Sequence, residues 1–307
     1  MRISAKRKPV TTATYLERIN RAIDYVHAHL GKPIRLQELS RAACLSPFHF
    51  HRVFQAVVGE TPADFVKRLR LDKALGLMAG PRRSSLSSIA LACGFSSSSD
   101  FSRSFKQRFG VAPRAFDLEA WREAHGRELQ ATVKGSSAGL HVERLPSRSN
   151  PEKFSVKIRD LASRTVAYIR VTRPYEGDRV KRAAERLMAW AEQHGFADRQ
   201  WLGYQWENPE ITALEDCRYY VAVEAEGFKR AGEIGRYEFP ATTVAEIEIH
   251  GGIDLELRAL YWLYGSWLPR SGYVPDDQPA FEAWIGRPFA HGTEHFEILI
   301  QLPVRRS

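Results

Sequence analysis

Residues 97–113 read SSSDFSRSFKQRFGVAP, and residues 46–62 read SPFHFHRVFQAVVGETP. Both stretches contain a starting serine, phenylalanines one helical turn apart with an arginine between them, and a final glycine and proline. The shared positions are Ser46, Phe50, Arg52, Phe54, Gly59 and Pro62 in the first copy and Ser97, Phe101, Arg103, Phe105, Gly110 and Pro113 in the second. One match of this kind would be weak, because small three-helix units are common. Two copies in register predict a pair of helix-turn-helix units.

The residues around each copy favour helices with defined ends. Ser46 is suited to cap a helix that begins at Pro47, and Gly59 is suited to end it. Apolar residues three and four positions apart continue the helical pattern on both sides. The predicted helices span residues 15–30, 36–43, 47–58, 61–78, 86–93, 98–109 and 113–124. The N-terminal half is therefore predicted to be all-α.

Positive charge is concentrated in the half that contains the repeat. Residues 1–130 hold 22 Lys and Arg against 11 Asp and Glu, whereas residues 131–307 hold 23 against 25. The first segment thus has a charge of +11 and the second −2, which together give the net charge of +9. A basic module joined to a near-neutral one indicates that the first binds a polyanion.

One side of the second helix in each copy is suited to read DNA bases. Phenylalanines at i, i+4 spacing are expected to face the core, which leaves the opposite side exposed. There an arginine can bond to guanine, a carboxylate can accept from cytosine, and an apolar ring can contact a thymine methyl. The candidate DNA-contacting residues are Phe48, His51, Arg52, Ser99, Asp100, Arg103 and Lys106. The alternative is that the arginines are solvated charges on scaffold helices; their matched positions favour DNA contact.

The spacing of the two copies fits adjacent turns of a DNA duplex. The helix between them, about 16 residues at about 1.5 Å each, spans roughly 25 Å. With the width of the motifs added, the two reading helices can lie about 34 Å apart, which is one turn of the duplex. A single chain is therefore expected to bind double-stranded DNA in two successive major grooves.

Residues 15–118 resemble the DNA-binding domain of the AraC/XylS family of bacterial transcription regulators. The most recognisable string lies in the second copy and consists of Ile89-Ala90, Gly94-Phe95, the run from Phe101 to Lys106, Gly110 and Pro113. The resemblance implies base contacts from Phe48, His51, Arg52, Ser99, Asp100 and Arg103. The chain departs from the family pattern at Phe116-Asp117, where an aromatic residue followed by Arg is frequent, and in the small, acidic run 97–100.

The second half has the pattern of an α+β domain. Strands are predicted at 155–160, 165–172, 201–206, 218–225, 242–250, 280–285 and 295–302, and helices at 179–194 and 255–268. The order repeats, and Thr165-Val166-Ala167 matches Thr243-Val244-Ala245 at the same offset at which Trp206 matches Trp284. A duplicated β-α-β-β unit is expected to pack its helices on one face of a shared sheet. The opposite face would then be free for a ligand.

These patterns divide the chain into four segments. Residues 1–13 are predicted to be a disordered basic arm, and residues 14–125 the DNA-binding domain. Residues 126–152 gather Gly, Ser, Pro and basic residues without periodicity, which is typical of a linker. Residues 153–307 form the α+β domain. A length of 307 residues, with 44% hydrophobic and 26% charged residues, is sufficient for two globular domains with separate cores.

Residues 154–305 resemble the GyrI-like ligand-binding domain, which is joined to AraC-type domains in Rob-type regulators. The matching pieces are Gly203-Tyr204-Gln205-Trp206-Glu207-Asn208-Pro209, Trp267-Leu268-Pro269, Gly272-Tyr273, Pro279-Ala280-Phe281-Glu282 and Leu302-Pro303-Val304. The chain has His250-Gly251-Gly252-Ile253 where the family often has His-Gly-Pro-Tyr.

The GyrI-like resemblance implies a glutamate in an aromatic-lined cleft that meets cationic or amphipathic compounds, and the matching position is Glu282. Aromatic faces would add cation–π attraction to a ligand cation. The candidate lining residues are Tyr168, Tyr204, Trp206 and Trp284. The alternative is that these rings fill the core and that Glu282 pairs with an arginine.

Other chemistry finds little support in the sequence. His291 and His295 have Gly292 between them and precede a strand, so they are not expected to form a helical metal site. We find no Gly-rich phosphate loop, nucleophile elbow or convincing catalytic triad, and predict no cofactor and no catalytic residue. The longest apolar run, 259–268, is shorter than the roughly 20 residues of a membrane span. Three cysteines without metal spacing fit a reducing cytoplasm.

The sequence therefore predicts a bacterial one-component transcription regulator and not an enzyme. Its expected partners are promoter DNA and a small-molecule effector, with RNA polymerase as a further candidate and no membrane. Two alternatives remain for the C-terminal half. It would be a hydrolase of electrophilic small molecules with Glu282 as general base, or a module that docks on a protein.

Overall fold

The computed structural model describes residues 12–79, 84–134 and 150–306. The N-terminal half is helical, as predicted. Its helices are α1 (Thr12–His29), α2 (Leu36–Ala42), α3 (Pro47–Val58), α4 (Pro62–Ala79), α5 (Leu86–Ala92), α6 (Ser98–Phe109) and α7 (Leu118–Lys134), with a 3₁₀ turn (Pro113–Ala115) before α7. The last two residues of the expected arm, 12 and 13, belong to α1, which corrects that boundary. Residues 1–11 of the arm and residues 135–149 of the expected linker lie outside the described residues.

Helices α3 and α6 begin and end as the sequence predicts. Ser46 and Ser97 cap them, each accepting a hydrogen bond on Oγ from the backbone N–H three residues later, at 3.4 Å and 3.1 Å. Gly59 and Gly110 end them with φ of +91° and +79°, a region that favours glycine. Because both ends match, α3 and α6 have the same length and present equivalent sides.

Each helix-turn-helix unit has its own apolar core. The phenylalanines Phe50, Phe54, Phe101 and Phe105 are fully buried, as predicted. Helix α4 joins the two cores, since Phe65 near its start packs against the first and Leu75 near its end belongs to the second. Its 18 residues span about 27 Å at about 1.5 Å per residue. One continuous helix therefore sets the spacing between the two units.

Helix α7 is longer than the sequence predicts. The expected linker began at residue 126, but the helix continues to Lys134. Arg127 Nη1 lies 2.8 Å from Glu123 Oε1, which supports the helix at i, i+4 spacing. Leu129 is only 1% exposed, because it packs against the C-terminal half. This burial is a tertiary contact that the linker-like composition does not reveal.

The C-terminal half is one antiparallel nine-stranded sheet with helices on it. The strands are β1 (Lys157–Leu161), β2 (Arg164–Thr172), β3 (Trp201–Gln205), β4 (Arg218–Glu224), β5 (Gly235–Phe239), β6 (Thr242–Gly251), β7 (Tyr273–Pro275), β8 (Phe281–Trp284) and β9 (Phe296–Arg306). The helices are α8 (Arg179–His194), α9 (Ile253–Trp262) and α10 (Leu268–Ser271), with 3₁₀ residues Leu214–Asp216 and a π-helical turn Leu263–Trp267. The strand order is β1-β6-β9-β8-β3-β4-β2-β5, with β7 pairing beside β9.

The predicted duplication is present in this sheet. The units β2-α8-β3-β4 and β6-α9-β8-β9 meet where β3 pairs with β8, and Gly203 lies opposite Glu282. Both long helices pack on the same face, where Leu187 of α8 and Ala259 of α9 join one core. Strands β5 and β7 were not predicted, because they are short and pair only at the margins of the duplicated unit.

The opposite face of the sheet is not free, which corrects the expectation from the sequence. Helix α1 lies against it, and its Asp24 is 7% exposed in contact with Tyr168 and Arg170 of β2. His27 of α1 stacks on Trp206 with ring centres 4.6 Å apart. Polar residues on the second side of α1 have the pattern of a solvated helix face, so the sequence alone could not show that this side is covered.

A buried charge network lies further along the contact between the halves. Arg68 of α4 is 2.8 Å from Glu60 and 3.6 Å from Asp72. Arg218 of β4 lies 3.6 Å from both Glu60 and the fully buried Glu207. Burial raises the pKa of Asp72 to about 7, although the Arg68 cation opposes the shift. Further ion pairs between the halves are Lys73–Asp277, Arg108–Asp216 and Arg122–Glu210.

Within the three described ranges, no helix has the combination of length and hydropathy that crossing a membrane requires.

Candidate nucleic-acid interface and ligand cleft

The outward side of α3 carries the residues predicted for the first copy. Phe48 is 74% exposed, and the guanidinium of Arg52 lies 5.8 Å from the centre of its ring. Arg52 is exposed and His51 is half-buried. Among the described residues Arg52 has no ion-pair partner, so its charge is available to an external anion.

The outward side of α6 carries the residues predicted for the second copy. Ser99, Arg103 and Lys106 are exposed, and Asp100 is half-buried. Asp100 accepts a 2.9 Å hydrogen bond on Oδ2 from Ser96 Oγ. Neither basic side chain pairs with an acid in the part of the chain that the structure describes. The cations are therefore open to an external anion, whereas Asp100 is held beside the turn.

Arg52 and Arg103 occupy equivalent positions on equivalent helices. Each is the sixth residue after the capping serine, Ser46 or Ser97. Each lies on the side away from the buried phenylalanines, and each is exposed. The structure thus places the candidate DNA-contacting residues in two sets, one on each helix, with Arg52 and Arg103 at equivalent positions.

A pair of carboxyl groups lies on the helix-covered face of the sheet. Glu282 of β8 accepts a short hydrogen bond from the hydroxyl of Tyr219 on β4, and it also hydrogen-bonds to Glu256 of α9. Burial raises the pKa of both glutamates, and the charge of Glu282 raises that of Glu256 further. Two carboxyl groups in such contact hold a proton between them, because both cannot be ionised at little cost. The pair therefore shares one proton, and burial and the charge of Glu282 favour the protonated form of Glu256.

Gly203 makes room for the carboxyl pair. It lies opposite Glu282 on β3, and a Cβ added there would be 1.8 Å from the hydroxyl oxygen of Tyr219 and 2.6 Å from Glu282 Oε2. Contacts this short cannot be accommodated without moving the side chains. The absence of a side chain at Gly203 therefore allows Tyr219 to reach Glu282.

Tyr175 and Gln205 lie beside the carboxyl pair, and we call the group formed by Glu282, Glu256, Tyr219, Tyr175 and Gln205 the candidate ligand site, or ligand cleft. Gln205 Nε2 donates a 2.9 Å hydrogen bond to the hydroxyl oxygen of Tyr175. Burial raises the pKa of Tyr175, and negative charge on Glu282 and Glu256 adds to the shift. The cleft thus combines two acids with two tyrosine rings, which is an environment suited to a cation.

Trp284 shares the face of Glu282 but is part of the core. It is 7% exposed, and its ring centre lies 5.0 Å from that of Phe289 and 5.5 Å from that of Phe296. It follows Glu282 by two positions on β8, so the two side chains point to the same side. The structure places Trp284 in the core beside the carboxyl pair, where its side chain also hydrogen-bonds to Tyr219.

Tyr168, Tyr204 and Trp206 lie on the opposite face of the sheet. Tyr204 pairs with Phe281 while Gly203 pairs with Glu282, and successive side chains of a strand alternate between faces. Tyr204 stacks on Tyr220 with ring centres 4.7 Å apart. The residues expected to line one cleft with Glu282 are therefore divided between two faces, which corrects that expectation.

Sequence reasoning missed Glu256, Tyr219 and Tyr175. A usable signal existed for Glu256, which stands among the apolar residues of α9 between Leu255 and Leu257. An acid inside such a helix requires a partner on the surface that the helix covers. The roles of Tyr219 and Tyr175 depend on strand register and loop path, which have no comparable signal.

The histidines dismissed as metal ligands lie near β9. His291 Nε2 and His295 Nε2 are 3.7 Å and 4.0 Å from Glu297 Oε1. In the described ranges, no group of three or more His, Cys, Asp or Glu is arranged to hold a metal ion.

Two family models match the chain. One is described as a helix-turn-helix domain and covers residues 39–118; the other is described as a GyrI-like small molecule binding domain and covers residues 154–305. A DNA gyrase inhibitor from Edwardsiella piscicida is 31% identical over 163 residues, which are 50% of this chain and 100% of that protein. The chain belongs to the GyrI-like family and carries an AraC-type helix-turn-helix domain. The AraC-type DNA-binding domain thus holds α3 and α6, and the GyrI-like domain holds the carboxyl pair.

The AraC-type domain has further relatives. The probable transcriptional regulator LumQ of Photobacterium leiognathi is 40% identical over 105 residues, which are 34% of this chain and 42% of LumQ. The chain therefore spans less than half the length of that relative. Among solved structures, the DNA-binding domain of AdpA in complex with a target DNA has 23% identity and a TM-score of 0.32, and the match covers 35% of this chain and 96% of that chain.

Proposed function

We propose that this protein is a one-component transcription regulator that binds promoter DNA through α3 and α6 and responds to a small molecule in the ligand cleft. The observation that supports it most is the pair of exposed arginines, Arg52 and Arg103, at equivalent positions of two equally capped helices. A helix that is scaffold only has no need of an exposed arginine at the same place twice.

The residue types on the two helices are suited to two kinds of DNA contact, one to base edges and one to phosphates. Arg52 and Arg103 are suited to bond bidentately to guanine, and Phe48 to contact a thymine methyl. Asp100 can accept a hydrogen bond from cytosine N4 when the hydroxyl of Ser96 no longer donates to its carboxylate. Ser99, His51 and Lys106 are suited to polar or phosphate contacts, which position the helices. The span of α4, about 27 Å, allows the two sets to reach successive major grooves.

The ligand cleft is suited to a small cationic or amphipathic compound. A cation beside Glu282 and Glu256 would replace the shared proton, and the ring of Tyr219 or Tyr175 would add cation–π attraction of about 0.5–2 kcal/mol. Trp284 would hold Tyr219 in position through their side-chain hydrogen bond. Promoter DNA and this compound are the partners we propose, with RNA polymerase as a further protein partner.

The DNA part of the proposal is tested by selecting bound genomic fragments and then measuring affinities on the best fragment. Arg52→Ala and Arg103→Ala should each weaken specific binding by about 1–3 kcal/mol. Arg127→Ala is the matched control, because Arg127 is 68% exposed on α7 and pairs only with Glu123 in the described residues. Wild-type affinity in both arginine variants would show that α3 and α6 do not contact the bases through these side chains.

Hydrolysis of electrophilic small molecules is the second candidate function, and the carboxyl pair favours it. A buried acid with a raised pKa beside a second carboxyl group is the arrangement that general acid–base chemistry uses. Glu282 would act as general base and Glu256 as proton donor. The test is product formation from strained electrophiles by the wild type and by Glu282→Gln. Equal turnover in both would exclude this role for Glu282.

A further inference from the structure

A small apolar cluster joins α7 to the GyrI-like domain. Leu129 of α7 and Leu214, in the connection between β3 and β4, are its buried centre, at 1% and 9% exposed. Tyr175, Ile253 and Leu257 pack against them from the β2–α8 loop and from α9. The cluster therefore brings together three segments of the GyrI-like domain and one helix of the DNA-binding domain.

Leu129 is exceptional on α7. It is the buried side chain among those described on this helix, whereas the neighbouring Arg127 and Glu128 are exposed. Trp121, His125 and Leu129 follow one another at i, i+4 spacing and thus lie along one side. This side faces the GyrI-like domain, since Trp121 Nε1 donates a 3.0 Å hydrogen bond to the carbonyl oxygen of Ile211.

The same apolar cluster borders the carboxyl pair. Ile253 and Leu257 flank Glu256 on α9, and Tyr175 hydrogen-bonds to Gln205 in the wall of the cleft. Glu256 is only 8% exposed. A ligand that reached the acids between α9 and the β2–α8 loop would have to pass the position that Leu129 occupies.

We propose that α7 is the lid of the ligand cleft and that Leu129 is the side chain that closes it, so that a lipophilic cation enters only when α7 moves away. This inference rests on the proposed function of the cleft. It adds to that function the element that controls access, because Leu129 fills the space between α9 and the β2–α8 loop among apolar side chains. It also makes a helix of the DNA-binding domain a competitor of the ligand.

The lid is connected to the second helix-turn-helix unit. The ring of Trp121 lies 5.3 Å from that of Phe109, the last residue of α6, and 5.5 Å from that of Phe116. Moving α7 therefore alters the support beneath the end of α6. A ligand that binds only the open state shifts the population toward that state, and closure reduces its apparent affinity by the open fraction.

The test uses tetraphenylphosphonium as the lipophilic cation and tetraphenylborate, its isosteric anion, as the charge control, both measured by titration calorimetry on the full chain. Leu129→Ala and Leu257→Ala weaken the lid from its two sides and should each tighten binding of the cation by about tenfold. Arg127→Ala, on the exposed side of α7, should bind as the wild type does. Hydrogen exchange of the α7 amides in the wild type should rise when the cation is added.

Two results would overturn the inference in different ways. Wild-type affinity in both leucine variants, with weaker binding by Glu282→Gln, would show that the cation uses the cleft but that α7 does not close it. No binding of the cation, or binding that Glu282→Gln leaves unchanged, would contradict the proposed ligand cleft and therefore the proposed lid as well. Circular dichroism of each variant confirms that a change in affinity comes from a folded protein.

Discussion

The hydroxyl of Tyr168 donates a 2.5 Å hydrogen bond to Oδ1 of Asp24, and this contact joins the sheet of the GyrI-like domain to α1 of the DNA-binding domain. Arg170 and Arg230 each reach Asp24 at 3.3 Å. Burial removes water from each of these polar groups, and a partner from the other domain replaces the lost hydrogen bond or charge contact. Helix α1 is therefore held on the sheet by polar contacts that neither partner can replace alone.

Tyr168→Phe should lower the free energy of unfolding by about 1–3 kcal/mol, because it leaves the buried Asp24 with one donor fewer. Urea unfolding followed by circular dichroism measures the loss. Tyr264→Phe is the control, since Tyr264 is 46% exposed, and it should stay within about 0.5 kcal/mol of the wild type. Equal losses in the two variants would show that the hydroxyl of Tyr168 has no special partner.

The stability of the wild type should fall as the pH rises from about 4 through 6, owing to Asp24. Burial outweighs the attraction of Arg170 and Arg230 and raises the pKa of Asp24 from 3.8 to about 6. The folded state thus binds this proton more tightly than the unfolded state, and its contribution is complete at low pH and lost through the folded pKa. Asp24→Asn lacks this loss, so its free energy of unfolding relative to the wild type should increase over this range. A constant difference between pH 4 and 7 would contradict the assignment.

Gly203→Ala should destabilise the protein by about 1–3 kcal/mol, because the added Cβ would collide with Tyr219 and Glu282. It should also weaken any cation binding at the carboxyl pair. Gly76→Ala is the opposite case: Gly76 lies inside α4, and a Cβ there meets nothing within 4 Å, so the variant should gain about 0.5–1 kcal/mol. Thermal unfolding of both variants measures the contrast, and a destabilised Gly76→Ala would invalidate the comparison.

Lys106 and Arg103 should affect DNA binding differently. Lys106→Ala removes a charge suited to a phosphate, so binding should weaken to a similar extent on all sequences and the salt slope should fall by about one. Arg103→Ala should instead reduce discrimination at one base pair by about 1–3 kcal/mol. Titrations at several salt concentrations, on the best fragment and on a scrambled one, separate the effects. An unchanged slope in Lys106→Ala would exclude its phosphate contact.

The sequence predicted the helices around α3 and α6 well because their signals are local. Ser46 and Gly59 define the two ends of one helix within a few residues, and the spacing of Phe50 and Phe54 shows which side is buried. The duplicated sheet was predictable for a similar reason, since alternation and the repeated order appear within short segments. Family resemblance then indicated Glu282 directly.

The composition of the ligand cleft was not predictable, because it depends on how two distant strands align. Pairing Gly203 with Glu282 places Tyr204 on the other face, and a shift of one residue would reverse this. The contact of α1 with the sheet was hidden for another reason. Asn20, Asp24 and His27 are polar, so their pattern favours solvent, and only their partners on β2 and in the connection after β3 explain their burial.

Helix α1 packs against other parts of the protein on two of its sides. Ile19, Ile23 and Val26 belong to the core of the first helix-turn-helix unit. Asn20 and Asp24 are buried on the other side, where both contact Arg170 of the sheet. A protease that cut the chain between residues 134 and 150 would consequently yield two pieces that still migrate as one particle, and only denaturant would part them.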